Sequence, residues 1–562
     1  MNFDIGTLKS GSDARGRALA AEGKEAVLTP EVAGAIARAF LEYARERRGV
    51  KIGRVAVGHD SRLTAETLKA GVFRALAGCG AVLLDCGLTT TPAMFMTTRF
   101  PETDCDAAIM ITASHMPKDM NGLKFFLRDG GLEGKEVERI LSLAQNSAQC
   151  TVHSPQLNGS AQCTVHSPQL KDGSNAQLKD EILHIKQNDR ESIRNDDKKS
   201  KSEIVHCALC IVNCNDDKKN KSETVDCGLC TVDCFKVVQT SGLGLYRAFL
   251  KNKFKTETGM EKPLAGRKIA VDAGNGAGGF YAELLAELGA DTSGSRYLEP
   301  DGDFPNHIPN PEDENAARAA REMVRQSGAE IGVIFDTDVD RAGLVGRRGD
   351  INRSALIALC AKFLAADYPG CTVVTDSVTN RSLTPYIESL GCRHHRFKRG
   401  YKNVIDEARR LRREGVNAVL AIETSGHAAF FDNSFLDDGA YLVSYCLIRA
   451  AKSGKGFDEL IADFKPPTEE KELRVPIAAR DFRAAGAEML ERIEGEARAR
   501  GWERIEGYEG VRFVAGDTCL TARMSVHDPI LVLNYESERE GGCQAMGGVI
   551  ERVLGEGKGS GK

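Results

Sequence analysis

EIGVIFDTDVDR, Glu330 to Arg341, is an apolar run that stops abruptly at three carboxylates. A run of this length bounded by polar residues reads as a strand buried on both faces, the kind found in sheets covered by helices. Asp336, Asp338 and Asp340 alternate, so an extended backbone is expected to turn all three to one side. Crowded carboxylates repel one another unless a cation lies among them, and hard oxygen ligands suit Mg²⁺. An EF-hand is excluded: its sixth position would be Arg341 rather than Gly, and its twelfth Arg347 rather than Glu. A solvated acidic loop is the plain alternative.

The same pattern recurs on both sides. RVAVG (Arg54–Gly58), AVLLD (Ala81–Asp85) and AAIMI (Ala107–Ile111) precede it, with helical spacing over Ala65–Gly78. KIAVDA (Lys268–Ala273) is followed by a helix over Phe280–Leu288. TVVTD (Thr372–Asp376) and AVLAI (Ala418–Ile422) flank helical Lys402–Glu414. Repeated βα units predict an α/β chain with mixed, largely parallel sheets. The tail differs. Glu470–Pro476, a helix over Asp481–Arg500, then Gly510–Val514, Cys519–Met524 and Ile530–Tyr535 read as a smaller, antiparallel α+β domain.

One stretch breaks the pattern. SAQCTVHSPQL occurs at Ser147–Leu157 and again at Ser160–Leu170, and a twenty-residue repeat runs from Asn195 to Cys214 and from Asn215 to Cys234. Two copies make no solenoid. Residues 145–237 therefore read as a low-complexity insertion, disordered or weakly ordered. It holds eight of the 17 cysteines, and its C-x₂-C-x₃-C groups allow Zn²⁺ or a cluster, although duplication alone makes them recur.

Composition narrows the functions. With 562 residues, 42% hydrophobic and a net charge of −5, the chain has material for three or four cores and no general basic field for nucleic acid. A single Trp argues against base stacking. No apolar run reaches the roughly 20 residues that cross a bilayer, and MNFDIGTLKSGSD does not read as a secretory leader. An odd cysteine count without one suggests a reducing cytoplasm.

Three further loops follow apolar strands or open one. ITASHMPKDMNGLKFF (Ile111–Phe126) sets Ser114 at a strand end, where α/β proteins gather their sites. ETSGH (Glu423–His427) offers an anion, a hydroxyl and an imidazole, a mixture that binds polyols. RMSVHDP (Arg523–Pro529) supplies a guanidinium fork for phosphate, with Ser and His donors. Each taken alone is equally an ordinary polar loop. GNGAGG (Gly274–Gly279) fits the dinucleotide fingerprint, which would make the protein an NAD-binding oxidoreductase. No clear second strand precedes Asp291, and a glycine turn for close strand–helix packing explains the motif better.

Taken in order, TASH, NGLK (Asn121–Lys124), D-x-D-x-D-R, E-x-S-G-H and R-x-S resemble the α-D-phosphohexomutase superfamily, in particular its phosphomannomutase/phosphoglucomutase group. GSDARG (Gly11–Gly16) and GHDSR (Gly58–Arg62) are similar to its N-terminal arginine loops, and GYKNV (Gly400–Val404) to its substrate loop. The resemblance spans the chain outside residues 145–240. It implies four domains, at 1–258, 259–367, 368–468 and 469–562, three α/β and the last α+β. It implies a cytoplasmic enzyme, monomer or homodimer, acting on sugar phosphates, without nucleic acid or membrane partners.

The implied reaction interconverts hexose 1-phosphate and 6-phosphate through a phosphoserine at Ser114 and a hexose 1,6-bisphosphate. Mg²⁺ would be held by Ser114, Asp336, Asp338 and Asp340, and Arg341 would stabilise the transferring group. Lys124 and Arg15 are the implied acid/base candidates. Lys124 is preferred, because burial beside cations lowers a lysine towards neutrality while Arg hardly deprotonates. Gly400, Tyr401, Glu423, Ser425 and His427 would hold the sugar; Arg523, Ser525 and His527 would hold the idle phosphate. Phosphoglucosamine mutase is the neighbouring alternative. Met116 stands where the family usually has Asn, His59 where Arg is common, and Val526, His527 and Asp528 where Gly, Thr and Glu are usual.

Overall fold

Strand Ala107–Ile111 coincides with AAIMI, and all five residues are buried. It lies parallel to Arg54–His59, which is parallel to Val82–Leu88 and that in turn to Val237–Gln239. The computed structural model describes residues 3–21, 23–49, 51–150, 237–525 and 529–555. Helix Pro30–Arg48 covers one face of this sheet. Thr29 caps its start, Pro30 supplies a preset φ, and Gly49 ends it with a left-handed backbone (φ +63°). Val32, Ile36 and Phe40 recur at helical spacing and are buried, and the Phe40 ring meets Phe125 of the sheet at 4.8 Å. Burial of such a side chain contributes about 2–3 kcal/mol.

The parallel strands continue into antiparallel ones. After Ala107–Ile111 the chain returns along Met120–Leu127, pairing Ile111 with Leu123, and Asp13–Arg17 adds beyond it. In the second sheet Ile331–Phe335 is parallel to Ile269–Asp272 and then doubles back through Ala342–Gly346, pairing Phe335 with Ala342. In the third, Ala418–Ile422 is parallel to Thr372–Thr375 and returns through Ala428–Phe430. The sheets are mixed, and TASH, DTDVDR and ETSGH are all return turns from a parallel strand to an antiparallel neighbour. This placement corrects the expected extended Asp loop. Residues 336–340 form a hairpin turn, with Val339 at φ +64°, and the turn itself gathers the carboxylates.

The fourth sheet is antiparallel throughout. Its order is Glu469–Pro476, Ile530–Ser537, Thr518–Met524, Val511–Ala515 and Glu503–Arg504, with helices Phe482–Ala499 and Gly542–Gly555 packed on it. Near the expected insertion, helix Gly134–Cys150 runs beyond residue 145, and Gln145 accepts a bond from Ile5 N at 2.7 Å. Val237 is already a strand residue, paired with Leu83. Both edges of the proposed 145–237 segment thus belong to the ordered framework. The repeats from Thr151 on, with their C-x₂-C-x₃-C groups, lie outside the described residues.

GNGAGG is a packing turn. A Cβ on Gly276 would sit 2.7 Å from the Thr337 carbonyl, so glycine there lets this turn touch the Asp loop. Asp291 is exposed and pairs with Lys268 at 3.3 Å. Among the described residues, no helix is long and apolar enough to cross a membrane.

Candidate active site

Ser114 follows strand Ala107–Ile111 by three residues and has a left-handed backbone, φ +52°. Its N–H donates to Thr112 Oγ1 at 2.9 Å, and that hydroxyl donates to Asp60 at 2.6 Å. Arg62 organises the rest of the loop. Its guanidinium donates to the carbonyls of Ser114 (2.5 Å), Met116 (2.6 Å), Pro117 (2.8 Å) and Met120 (2.8 Å). A buried guanidinium is tolerated because these carbonyls and Asp60, 3.4 Å from Nε, compensate it. Ser114 Oγ is thereby held 2.9 Å from Asp336 Oδ2 and 3.3 Å from His115 Nδ1. The Arg341 charge, burial and Arg15 push the His115 imidazole far below its usual value, so it is neutral.

The Asp loop meets this serine across the interface of two sheets. Asp336 also accepts from Arg341 N at 3.1 Å. Asp338 accepts from Lys124 Nζ at 2.8 Å and from Thr91 Oγ1, and Asp340 accepts from Lys124. Burial and the charges of Asp340 and Asp338 raise Asp336 well above the carboxylate range. That is the repulsion expected of three crowded carboxylates. Ligand oxygens of all three lie within 4.8 Å of one another. The second oxygens of Asp338 and Asp340 are buried without a hydrogen-bond partner. An oxygen-only donor set with orphaned lone pairs fits a hard divalent cation.

Both acid/base candidates lie beside carboxylates. Burial alone lowers Lys124, but Asp338 and Asp340 outweigh it and raise the ammonium well above its ordinary value. Lys124 faces the carboxylates of Asp338 and Asp340 in this arrangement. Arg15 pairs with Asp13 at 2.6 Å and is likewise raised despite burial. It stays cationic, with NH1 3.4 Å from the Ala113 carbonyl.

The third sheet supplies the opposite wall. Arg341 Nε donates to His427 Nε2 at 2.7 Å, while His427 Nδ1 faces Asp437 Oδ2 at 2.6 Å, so Nδ1 carries the imidazole proton. Tyr401 stacks on His427 at 5.0 Å, and its hydroxyl meets Ser12 Oγ at 2.5 Å. Glu423 accepts from Gly400 N at 2.6 Å and from Ser425 Oγ at 3.4 Å. Burial, then the nearby Asp376 charge, push Glu423 up to about 7.

Direct bonds join Ser114, Asp336, Arg341 and His427 in one group and Lys124, Asp338 and Asp340 in another, the two approaching at His427 Nδ1 and Asp340 Oδ1, 3.7 Å apart, with Tyr401 stacked on His427. Gly400, Glu423 and Ser425 form an adjoining group. Arg523 stands apart from that network: it is buried, among the described residues its guanidinium donates to the Met524 carbonyl (3.3 Å), and its Nε is left without a partner. Ser525 N donates to Ile530 O at 2.8 Å. Val526, His527 and Asp528 lie outside the described residues. Sequence reasoning assigned no role to Arg62, Thr91, His115, Asp376, Asp437 or Arg399. Arg62 and His115 sat inside quoted motifs, and the others carried no local signal.

Comparison with known proteins decides the family. Residues 7–149 match phosphoglucomutase/phosphomannomutase alpha/beta/alpha domain I, residues 245–349 its domain II and residues 352–467 its domain III. The chain belongs to the phosphoglucomutase/phosphomannomutase family. This phosphohexomutase is an isomerase of the phosphotransferase kind. It is 25% identical over 531 residues to the phosphoglucomutase of Neisseria gonorrhoeae, covering 94% of this chain and 93% of that one. It is 25% identical over 504 residues to the phosphomannomutase/phosphoglucomutase of Pseudomonas putida, covering 89% and 87%. The crystal structure of a phosphoglucomutase/phosphomannomutase family protein from Burkholderia thailandensis superposes with a TM-score of 0.71 at 21% identity, covering 100% of this chain and 99% of that one. That likeness establishes the shared fold.

Proposed function

We propose that this phosphohexomutase interconverts the 1- and 6-phosphates of glucose and mannose through a phosphoserine at Ser114. The observation that carries the proposal is Ser114 Oγ held 2.9 Å from Asp336 in a chain of this family. The phosphoserine donates its phosphoryl group to the free hydroxyl of a hexose monophosphate. The new O–P bond forms as the Oγ–P bond breaks, and the hydroxyl proton ends on Ser114 Oγ. The hexose 1,6-bisphosphate then turns over, and its other phosphate returns to Ser114.

Asp336, Asp338, Asp340 and the Ser114 side would hold Mg²⁺, which when bound neutralises charge on the transferring group. Arg341 is a fixed positive charge beside the same group, and Lys124, ahead of Arg15, is its acid/base candidate. Glu423 and Ser425 hold the sugar hydroxyls that exchange places on turnover, beside His427, Gly400 and Tyr401. Arg523, Ser525 and His527 hold the phosphate that is not reacting. Domain boundaries at 258/259, 367/368 and 468/469 give every domain its own loop of the cleft. The nine cysteines whose side chains are described are free thiols, which suits a reducing, cytoplasmic setting.

The test is turnover of glucose 1-phosphate and mannose 1-phosphate with Mg²⁺ and a trace of hexose 1,6-bisphosphate. Glucosamine 1-phosphate is run beside them. No turnover of either neutral sugar phosphate would sink the reading, and exclusive use of the amino sugar would reassign the substrate.

A further inference from the structure

The Arg399 guanidinium has a buried NH1 without a hydrogen-bond partner. So does Arg523, through Nε. The two residues come from different sheets, yet one short chain of contacts joins them. The Arg399 backbone N–H donates to Glu509 Oε1 at 2.9 Å, and Ser377 Oγ donates to the same oxygen. Gly510, next to Glu509, packs so closely on the Arg523 strand that a Cβ there would lie 2.8 Å from Arg523 Cα. Burial and the Arg399 charge together push Arg523 below its ordinary value, as neighbouring cations do.

Buried donors are rarely left unpaired, and two of them on adjacent like charges call for an anion. We infer that Arg399 is a phosphate ligand: with Arg523 it forms a two-guanidinium clamp for the idle phosphate of the sugar substrate. This rests on the hexose-phosphate reading above. A phosphate monoester carries between one and two negative charges and three acceptor oxygens, enough to satisfy both orphaned N–H groups.

In the structure a carboxylate takes some of that role. Glu312 accepts from Arg399 NH2 at 3.1 Å and lies 3.7 Å from Arg341 NH1. Its side chain is 29% exposed, whereas the arginines it faces are more enclosed. An entering phosphate therefore competes with Glu312 for the same guanidinium. Arg399 also precedes Gly400 and Tyr401, which contact Glu423 and His427, so clamp and sugar wall share one rigid turn.

A merely structural Arg399, tying Glu312 to the third sheet, gives a different pattern. Arg399→Ala should raise KM for hexose phosphate about 10- to 100-fold with a much smaller change in kcat. Arg399→Lys should recover some of that loss. Glu312→Gln should leave KM unchanged or lower it, because it removes the competing carboxylate. Equal KM increases in Arg399→Ala and Glu312→Gln would mean that only their pairing matters, and would overturn the assignment.

Inorganic phosphate gives a readout independent of turnover. Measured in chelator, phosphate should raise the melting temperature of the wild type and raise that of Arg399→Ala much less. The double variant with Arg523→Ala should lose little more than either single one, because both bind one anion. Equal protection of wild type and Arg399→Ala, or no protection of the wild type, rejects the clamp. If phosphate protects through Arg399 but no hexose phosphate turns over, Arg399 stands as a phosphate ligand while the mutase reading, and with it the assignment of that phosphate to a sugar, falls.

Discussion

The two walls of the cleft are built differently. On the Ser114 side, most donors and acceptors are tied to one another before any substrate arrives, and the orphaned atoms that remain are chiefly carboxylate oxygens of Asp338 and Asp340, suited to a cation. Arg62 grips four carbonyls, Lys124 joins two aspartates, and Thr112 joins the serine to Asp60. On the Arg399–Arg523 side, buried guanidinium N–H groups are left unpaired. The contrast follows from what each wall handles. Phosphoryl transfer needs fixed charges around one reacting atom, so that wall is assembled in advance. On the proposed cycle the far wall accepts a phosphate, releases it and accepts it again with the sugar reversed, which would keep its donors for the ligand.

The largest effect expected of the prebuilt wall is loss of the carrier. Ser114→Ala should reduce turnover by at least about 10⁴-fold and abolish labelling by glucose 1,6-bisphosphate in intact mass. Its melting temperature should stay near that of the wild type, because Arg62 binds the backbone of residue 114 and not its hydroxyl. Stoichiometric labelling of the variant would move the carrier elsewhere.

Arg62 tests whether prior assembly matters. Arg62→Ala strips four carbonyls of their shared donor and leaves the buried Asp60 without its counter-charge, although Thr112 and the backbone N–H of residue 62 still donate to it. Its kcat should fall about 100-fold, the cost of an ångström-scale misplacement of Ser114, with a smaller change in KM. Stability should fall by about 3 kcal/mol, as for other broken buried pairs, measured by urea unfolding. Arg62→Lys should rescue little, since one ammonium cannot reach four carbonyls. A kcat near that of the wild type in Arg62→Ala would show that the serine loop holds itself.

The two walls also differ in how far they could be read from sequence. AAIMI and AVLAI end at the very residues that bound their strands, because buried strands are continuous apolar runs. The Asp loop was recognisable by composition, yet its geometry was not: Val339 adopts a backbone that a β-branched residue disfavours, imposed by the return to Ala342. The return strands AGLVG and AAF escaped notice because they are short and sit directly behind motifs. Lys124 shows the wider limit. Its charge state is set by Asp338 and Asp340, 214 and 216 residues later, and no local spacing encodes that. Arg399 and Arg523 likewise come together through the Glu509–Gly510 turn, a third segment of the chain.

A middle-sized effect concerns the sugar wall. Glu423 sits near 7 in the folded protein against an ordinary 4.5. Between those values the folded state keeps a proton that the unfolded chain has lost, so stability falls as pH rises from 4.5 to 7. Glu423 accounts for about 3 kcal/mol of that fall. Other raised carboxylates, Asp438 among them, share the window. Glu423→Gln should therefore partly flatten the pH dependence of unfolding, while weakening sugar binding at pH 8, where the carboxylate is the better acceptor. An unchanged slope would place Glu423 outside the set of strained carboxylates.

The smallest effect is expected from residues 151–236. They separate two pieces of one sheet, since helix Gly134–Cys150 precedes them and Val237 pairs with Leu83 directly after. No bond described in either wall involves them. Loop closure costs only about 0.6 kcal/mol per doubling of length, so replacing 151–236 with a Gly/Ser linker should leave kcat and KM within about twofold. Cutting at 145–237 instead removes the Gln145 bond to Ile5 and the first residue of the edge strand. That deletion should melt measurably lower than the shorter one. Equal melting temperatures would show that the helix end and Val237 add nothing to the sheet. A folded but inactive 151–236 deletion would make the repeats a third wall of the cleft, and the two-wall comparison would have to be redrawn around it.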